Sequence, residues 1–413
     1  MLGLPVIFLT DIFACEINGK SQQQMIHEFL LRRSLGTLLL VAITLTLAGQ
    51  EKDNSLNASI TQDATSNMAG GLKTGQAHLG LISLNFSLNT EKMNLWEAGT
   101  FRVQIQNTYG QRPAEQLVGD LQVFNNIENG NYTYLHQFWY KQKLGDLWLL
   151  AGKHDLNEQF FAGELAGSYI NSSFGIMPVA SLNVPVSIFP STTLGLMGHY
   201  TIDKKWSIQA AIYNGIPGEI TRSNFGTDLN LHKGNGFFYL GELHLQNRSH
   251  KMDGTYKVGA FHHSGTFPSS GRPEVKQQGA SGIYMIADQK LYNDPSGRNK
   301  GPGIFLQLGY SPDPGSINDF YGALGINYRG IFTEGRDELG LALAHASLQN
   351  RLLRQNRQSY RSCETVAELT YQYPLTDQLM IQPDIQYIIH PGMEADRDNA
   401  WAGTIRIQWS YQQ

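Results

Sequence analysis

Covalent staples are almost absent from this 413-residue sequence, which holds two cysteines, Cys15 and Cys363. Cys15 falls in a segment read below as removed on export, so Cys363 stands alone. That excludes an internal disulfide and a cysteine-based zinc site. Charge is also scarce: Asp, Glu, Lys and Arg make up 16%, against roughly 25% in soluble domains. The net charge of -4, with no clustered basic face, excludes nucleic acid as a partner. A glycine-rich phosphate loop and a G-x-S-x-G elbow are both missing, so we expect no catalytic residue, no cofactor and no metal. Nor is there an apolar run of the roughly 20 residues that a spanning helix needs.

The one long apolar run, residues 35–48, follows Arg32 and Arg33, with Met25 a plausible start shortly upstream. A basic start, a short apolar stretch and a small-residue exit at Ala48 and Gly49 form the pattern of a secretory signal. Residues 1–49 are therefore expected to be an over-extended start plus a cleaved signal. Residues 50–78, polar and weakly periodic, are expected to form a flexible arm or short plug, and 79–413 the folded domain.

Present in quantity are turn formers and aromatics, with 43 Gly, 19 Tyr and 19 Phe. Beyond residue 95 the chain reads as strand after strand, each alternating with period two and bounded by Gly, Pro, Asn or Asp. Phe101, Val103 and Ile105 share one face opposite Arg102, Gln104 and Gln106. Near the end, Ile405, Ile407, Trp409 and Tyr411 oppose Arg406, Gln408 and Ser410. Further strands are expected at 206–213, 240–246, 304–310, 323–329, 339–346 and 364–371.

A soluble sandwich and a membrane barrel both fit such alternation. The export signal favours the barrel, as do aromatics at strand ends: Phe138-Trp139-Tyr140, Phe237-Phe238-Tyr239, and Trp409 with Tyr411. A mean hydropathy of -0.28 is compatible, because a wet-lumened barrel needs apolar residues on one face only. The length after the signal, in strand-plus-turn units of roughly 20–23 residues, gives about 16–18 antiparallel strands and an aqueous channel. The expected fold is thus an all-β transmembrane antiparallel barrel with one or more inward-folding loops, in outer-membrane lipid of a Gram-negative cell.

A polar solute in such a bore needs hydrogen bonds from the wall. Strand parity selects Arg102, Glu242, Glu368, Gln382, Asp384, Gln386 and Arg406 as candidate lining residues. Lys153 and Asp155, flanking His154, open a loop with Phe160 and Phe161 that is a candidate constriction. Some local patterns are set aside. His262 and His263 point to opposite faces of a strand, so with His244 they make no metal site. Glu364 and Glu368 lie about 13 Å apart on a strand, too far for a glycosidase pair. Pro383 inside a strand predicts a kink.

Several segments, in order, resemble the carbohydrate-selective porin family of the OprB type. The sharpest is Glu364-Thr365-Val366-Ala367-Glu368-Leu369-Thr370-Tyr371, followed by Ile381-Gln382-Pro383-Asp384-Ile385-Gln386-Tyr387-Ile388-Ile389-His390-Pro391-Gly392. Others are Gly152-Lys153 with Phe160-Phe161, Asn171-Ser172-Ser173-Phe174-Gly175, and Phe189-Pro190 leading into Leu194-Gly195. Later come Tyr256-Lys257-Val258-Gly259-Ala260-Phe261, Tyr328-Arg329-Gly330-Ile331-Phe332 and Leu339-Gly340-Leu341-Ala342. The resemblance spans about residues 95 to 413. It implies a sixteen-stranded barrel with a constricted lumen, passive diffusion of mono- or oligosaccharides, and a homotrimer or monomer as the assembly. The chain ends Tyr411-Gln412-Gln413, where outer-membrane barrels usually finish on an aromatic. A general or anion-preferring porin, and an outer-membrane barrel enzyme of lipase type, are the competing functions.

Overall fold

Each strand buries one row of side chains and leaves the other exposed, and the exposed row is the apolar one. Leu324, Ile326, Leu341, Leu343, Ile283 and Val258 are all about half exposed, while Gln307, Asn327, Glu364, Glu368 and Gln386 are buried. Such an inverted molecule suits a sheet rolled shut around a polar interior with lipid outside. The computed structural model describes residues 54–412 except 219, 222–223, 228, 230–233, 249–252, 270–271, 293, 295–299 and 356–357. The segment read as an export signal lies outside the described residues.

Sixteen antiparallel strands form one closed barrel in which each pairs with its sequence neighbours and the last with the first. They are β1 Asn54–Ala69, β2 Gly75–Asn89, β3 Gly99–Gly110, β4 Tyr132–Leu144, β5 Leu147–His154, β6 Thr193–Thr201, β7 Trp206–Asn214 and β8 Phe237–Arg248. The second half comprises β9 Asp253–Ser269, β10 Arg272–Lys290, β11 Gly301–Tyr310, β12 Asn318–Arg329, β13 Glu338–Leu348, β14 Cys363–Pro374, β15 Leu379–Ile389 and β16 Ala400–Gln412. The strand windows expected from sequence fall within β7, β8, β11, β12, β13 and β14. The barrel end that carries the C-terminus has short connections such as 145–146 and 202–205, which makes it the periplasmic end. Connections 111–131, 155–192, 215–236 and 349–362 mark the extracellular end.

Residues 54–78 do not form the expected arm or plug. They supply β1 and the start of β2, so the barrel begins at Asn54. Within β1, Thr61, Asp63, Thr65 and Asn67 are buried, whereas Ile60, Gln62, Ala64 and Met68 are exposed. With Gln62 in its outward row, the strand shows little hydrophobic period. What fixes it is closure: β1 pairs with β16 from Asn57↔Gln412 to Ala69↔Trp401. That partner lies more than 300 residues away and is invisible to a local window.

Pro383 introduces no shift in register. The β14–β15 ladder keeps one register from Thr370↔Asp384 to Tyr373↔Ile381, with the pairs between missing, and Pro383↔Ile405 continues unbroken on the other side. A residue without an N–H opens a gap in one ladder, and pairing with β16 keeps the register across it. Outward aromatics gather at both ends, Phe237, Tyr239, Tyr310, Phe320 and Trp401 above, Tyr200, Trp206, Tyr328 and Trp409 below. Trp409 stacks on Tyr411 at 6.3 Å, so the girdle closes two residues before the chain does. Trp139 and Phe238 leave this pattern, being 7% and 1% exposed on the inner side.

Candidate functional site

The loop 155–192 turns into the barrel. Its apolar side chains Leu156, Phe160, Phe161, Leu165, Tyr169, Ile170, Phe174, Met177 and Val179 are buried. They meet an unusual stretch of inner wall in which aromatics and small residues replace polar ones. Phe161 stacks on Tyr284 at 4.1 Å, and Tyr169 packs on Phe305 at 5.6 Å. Gly340 makes room for the loop, since a Cβ there would sit 2.7 Å from the hydroxyl of Tyr169.

Folding a loop inward exposes its backbone amides to a space that cannot all be water, and each unmatched amide costs about 1–3 kcal/mol. Wall carboxylates receive them. Glu242 accepts from Phe161 N at 3.0 Å, and Asp288 accepts from Glu164 N at 3.0 Å and Leu165 N at 3.2 Å. Glu368 takes Ile170 N at 2.6 Å and Asn171 N at 3.1 Å, one on each oxygen. Glu338 accepts from the hydroxyl of Ser168. Successive strands thus hold successive residues of the loop.

The sequence candidates can now be placed. Glu242 also accepts from Gln209 Nε2 at 2.9 Å and from the Tyr284 hydroxyl at 2.6 Å, beside His244. Gln382 donates to Ser168 O at 2.9 Å, and Gln386 to Phe124 O at 2.9 Å and to Asp384 Oδ1 at 3.1 Å. Arg406 forms a two-pronged pair with Asp63 at 2.8 and 2.7 Å and reaches Asn126 at 2.8 Å. All of these are inward and buried; Glu242, Glu368, Gln382, Gln386 and Arg406 anchor the loops 111–131 and 155–192, and Asp384 braces Gln386 from the wall. Lys153, 3% exposed, donates to Thr192 O and so ties the two ends of the loop. Asp155 accepts from His136 Nε2 at 3.1 Å, Asn157 N at 2.9 Å and Phe189 N at 3.0 Å. Burial alone pushes the Asp155 carboxyl up, but the His136 bond and charge and the Asn157 amide outweigh it and hold it below the usual range.

Arg102 differs from the rest. Its guanidinium grips Glu158 through Nη1 at 3.1 Å and Nη2 at 3.2 Å, holds Asn85 at 3.1 Å, and stays 23% exposed with Glu158 at 32%. Burial raises the Glu158 carboxyl, and the Arg102 charge opposes that rise. Arg102 lies over the ring of Trp139 at 5.7 Å, while Lys141 lies over Trp139 at 5.9 Å and Trp148 at 5.7 Å. Trp148 stacks on His199 at 5.3 Å and 7°. In the periplasmic half of the wall from β3 to β6, Arg102, Lys141, Trp148 and His199 therefore form a partly exposed ladder of cations and aromatic faces, backed by the buried Trp139. Across the bore, Arg329 pairs with Glu164 at 2.9 Å. Below Glu164 opens a cavity of about 390 Å³ lined by Gln246, Arg248, Asp253, Asp288 and Gln289.

Sequence reasoning missed Lys141, Trp148, Glu158, Glu164 and Arg329, and took Trp139 for a girdle residue. Parity alone reaches Arg329, whereas Lys141 lies beyond the same bulge as Trp139. Trp139 is inward because a bulge in β4 pairs Gln104 with Gln137 but Ile105 with Leu135, leaving His136 extra. His136 and Gln137 both end up buried. As expected, His263 is buried and His262 is exposed.

Comparison with known proteins agrees with this architecture. The chain is 23% identical to Porin B of Pseudomonas aeruginosa over 87% of each chain. It is 22% identical to a protein of Acinetobacter baylyi named putative porin QuiX, over 88% of this chain and 90% of that one. A structure of Pseudomonas putida OprB at high pH superposes with a TM-score of 0.79 at 20% identity, covering 88% of this chain and 95% of that one. The profile of the family described as "Carbohydrate-selective porin, OprB family" matches residues 73–411. With its closed sixteen-stranded barrel, inward loop and apolar outer face, the chain belongs to the carbohydrate-selective porin family of OprB type, a family of outer-membrane channels.

Proposed function

We propose that this porin passes small sugars by diffusion along the uncovered arc of its lumen, after a signal within residues 1–49 directs export and is removed. The observation that carries this reading is the ladder of Arg102, Lys141, Trp148 and His199 beside the loop. A pyranose presents hydroxyls at its rim and an apolar face of C–H bonds. Hydroxyls entering a narrow bore lose water, at about 1–3 kcal/mol for each left unmatched. A guanidinium fork and its carboxylate partner replace those bonds, and an indole face covers the C–H surface. Because Arg102 and Lys141 already lie against the rings, no rung is a deep pocket. A weak site releases what it binds, as conduction requires.

Of the sequence candidates, Arg102 is assigned to solute contact. Lys153, Asp155, Glu242, Glu368, Gln382, Gln386 and Arg406 are assigned to shaping the bore through the loops they hold, with Asp384 supporting Gln386. The test is single-channel recording with sugar added to one side, together with swelling of liposomes in glucose and in a disaccharide. Swelling in both, with ion current blocked at millimolar sugar, is the expected result. Impermeability to both would overturn the reading. The uncovered cations also favour anion passage, and a reversal potential under a salt gradient with no sugar block would mark a general anion-preferring porin instead.

A further inference from the structure

At the extracellular mouth, Asp120 on the loop 111–131 is 9% exposed, and neither of its carboxylate oxygens has a hydrogen-bond partner. Two residues on, Gln122 is 2% exposed and its Oε1 is likewise unmatched. Both lie against Glu364 at the top of β14. Glu364 accepts from Leu121 N at 2.9 Å, Gln122 N at 2.9 Å and Gly392 N at 2.6 Å, and its carbonyl accepts from Gln122 Nε2 at 3.3 Å. The Glu364 charge bears on Asp120, and so does that of Glu128. Arg397, close by, directs Nη1 to the carbonyls of Gly119 and Pro391 at 2.6 and 3.1 Å and pairs with neither acid. The backbone N–H groups of Asp120 and Phe124 are directed at the Asp120 carboxylate and favour its charge.

Three buried acceptor oxygens, served at most by the backbone N–H groups of Asp120 and Phe124, lie beside a second carboxylate and leave the site short of positive charge. Burying such groups unmatched is costly. Glu364 Oε1 accepts a single bond and retains a lone pair. The donor set is oxygen only, two carboxylates and an amide, with no sulfur or imidazole. Hard divalent cations take such ligands, and calcium accepts irregular shells of about 6–8 oxygens in which carbonyls and water complete what side chains begin.

We propose that Asp120, Gln122 and Glu364 bind one calcium-class divalent cation, which fastens the loop 111–131 to β14 and to the 390–399 connection at the pore entrance. This site is separate from the sugar path and does not rest on it. The alternative for Asp120 is to hold a proton, a form that its burial and the neighbouring Glu364 charge also favour.

The test uses the full chain purified in detergent, freed of lipopolysaccharide and washed with EDTA. Calorimetric titration with calcium chloride should show one saturable site per chain. Calcium should also raise the thermal midpoint and slow cleavage after the exposed Glu115 by a glutamate-specific protease. Asp120→Asn should weaken calcium binding at least tenfold and abolish both effects. Gln122→Met, which keeps the side-chain length but lacks the oxygen, should weaken it severalfold and serves where Asp120→Asn fails to fold. Absence of saturable binding by the native chain would overturn the proposal in favour of the proton. Binding that both variants retain undiminished would also overturn it, because the cation would then lie elsewhere.

Discussion

Two arcs of the same inner wall have the same strand parity and different tasks. From β8 to β15 the inward acids Glu242, Asp288, Glu338 and Glu368 are covered by the loop and accept its amides or hydroxyls. From β3 to β6 the inward residues Arg102, Lys141, Trp148 and His199 remain uncovered, with only Glu158 of the loop reaching them. An acid is suited to the first arc because backbone N–H groups are donors, and an ionised carboxylate accepts several at once. The second arc must serve a solute that arrives and leaves, so its groups stay partly in view of water. The division of sign follows from which partner each arc faces.

Removing an anchor should give the largest effect and break the comparison most directly. Glu368→Ala leaves Ile170 N and Asn171 N without acceptors, a loss of about 2–6 kcal/mol for two buried amides. Thermal unfolding should fall by many degrees, and single-channel conductance should rise severalfold with added noise as the loop comes free. Unchanged conductance would mean that the loop is held by its apolar side chains alone.

On the open arc the effect should be smaller and confined to solute. Trp148→Ala should weaken sugar block about threefold to tenfold, the equivalent of about 0.5–1.5 kcal/mol for one aromatic face. Ion conductance without sugar should stay near the native value. A loss of stability like that of Glu368→Ala would place Trp148 among the anchors.

Acidity should sharpen the contrast within the loop itself. Burial first, moderated by Arg102, puts the Glu158 carboxyl above its ordinary value of 4.5. Asp155 is held below its ordinary 3.8, chiefly by His136 once burial is offset. As pH falls, Glu158 is therefore neutralised while Asp155 stays ionised. Arg102 then loses its counter-charge, and the passage becomes more cationic by one charge. Reversal potentials should move toward anion selectivity above pH 4.5, and Glu158→Gln should show the acid-side value at neutral pH. A shift that persists in Glu158→Gln would assign the titration to another group.

The smallest effect should come from the outer face. Leu341→Ala removes a lipid-facing side chain that is 53% exposed and meets no loop. Conductance and sugar block should be native, with a change in thermal midpoint of a few degrees at most.

The inward rows were legible wherever apolar and polar residues alternate. Arg102, Glu242, Glu368, Gln382, Asp384, Gln386 and Arg406 all lie on the inner side, because period two is a local property of a strand. β1 escaped notice, since Gln62 in its outward row blurs the period. Trp139 was misplaced because one extra residue, His136, resets parity, and such a bulge shows only in the pairing with β3. The roles of the acids could not be read either. Glu368 and Ile170 lie about 200 residues apart, and nothing near either in the sequence announces the bond.

The sequence by itself determined the class of the molecule: alternation, scarce charge and aromatic strand ends specify a sheet with one dry and one wet face. Tertiary structure alone decided which inward residues face water and which face the chain, because that depends on where residues 155–192 lie across the bore. The physical reason is range. A strand's two faces are fixed by neighbours in sequence, whereas a buried carboxylate finds its amide only after the barrel has closed.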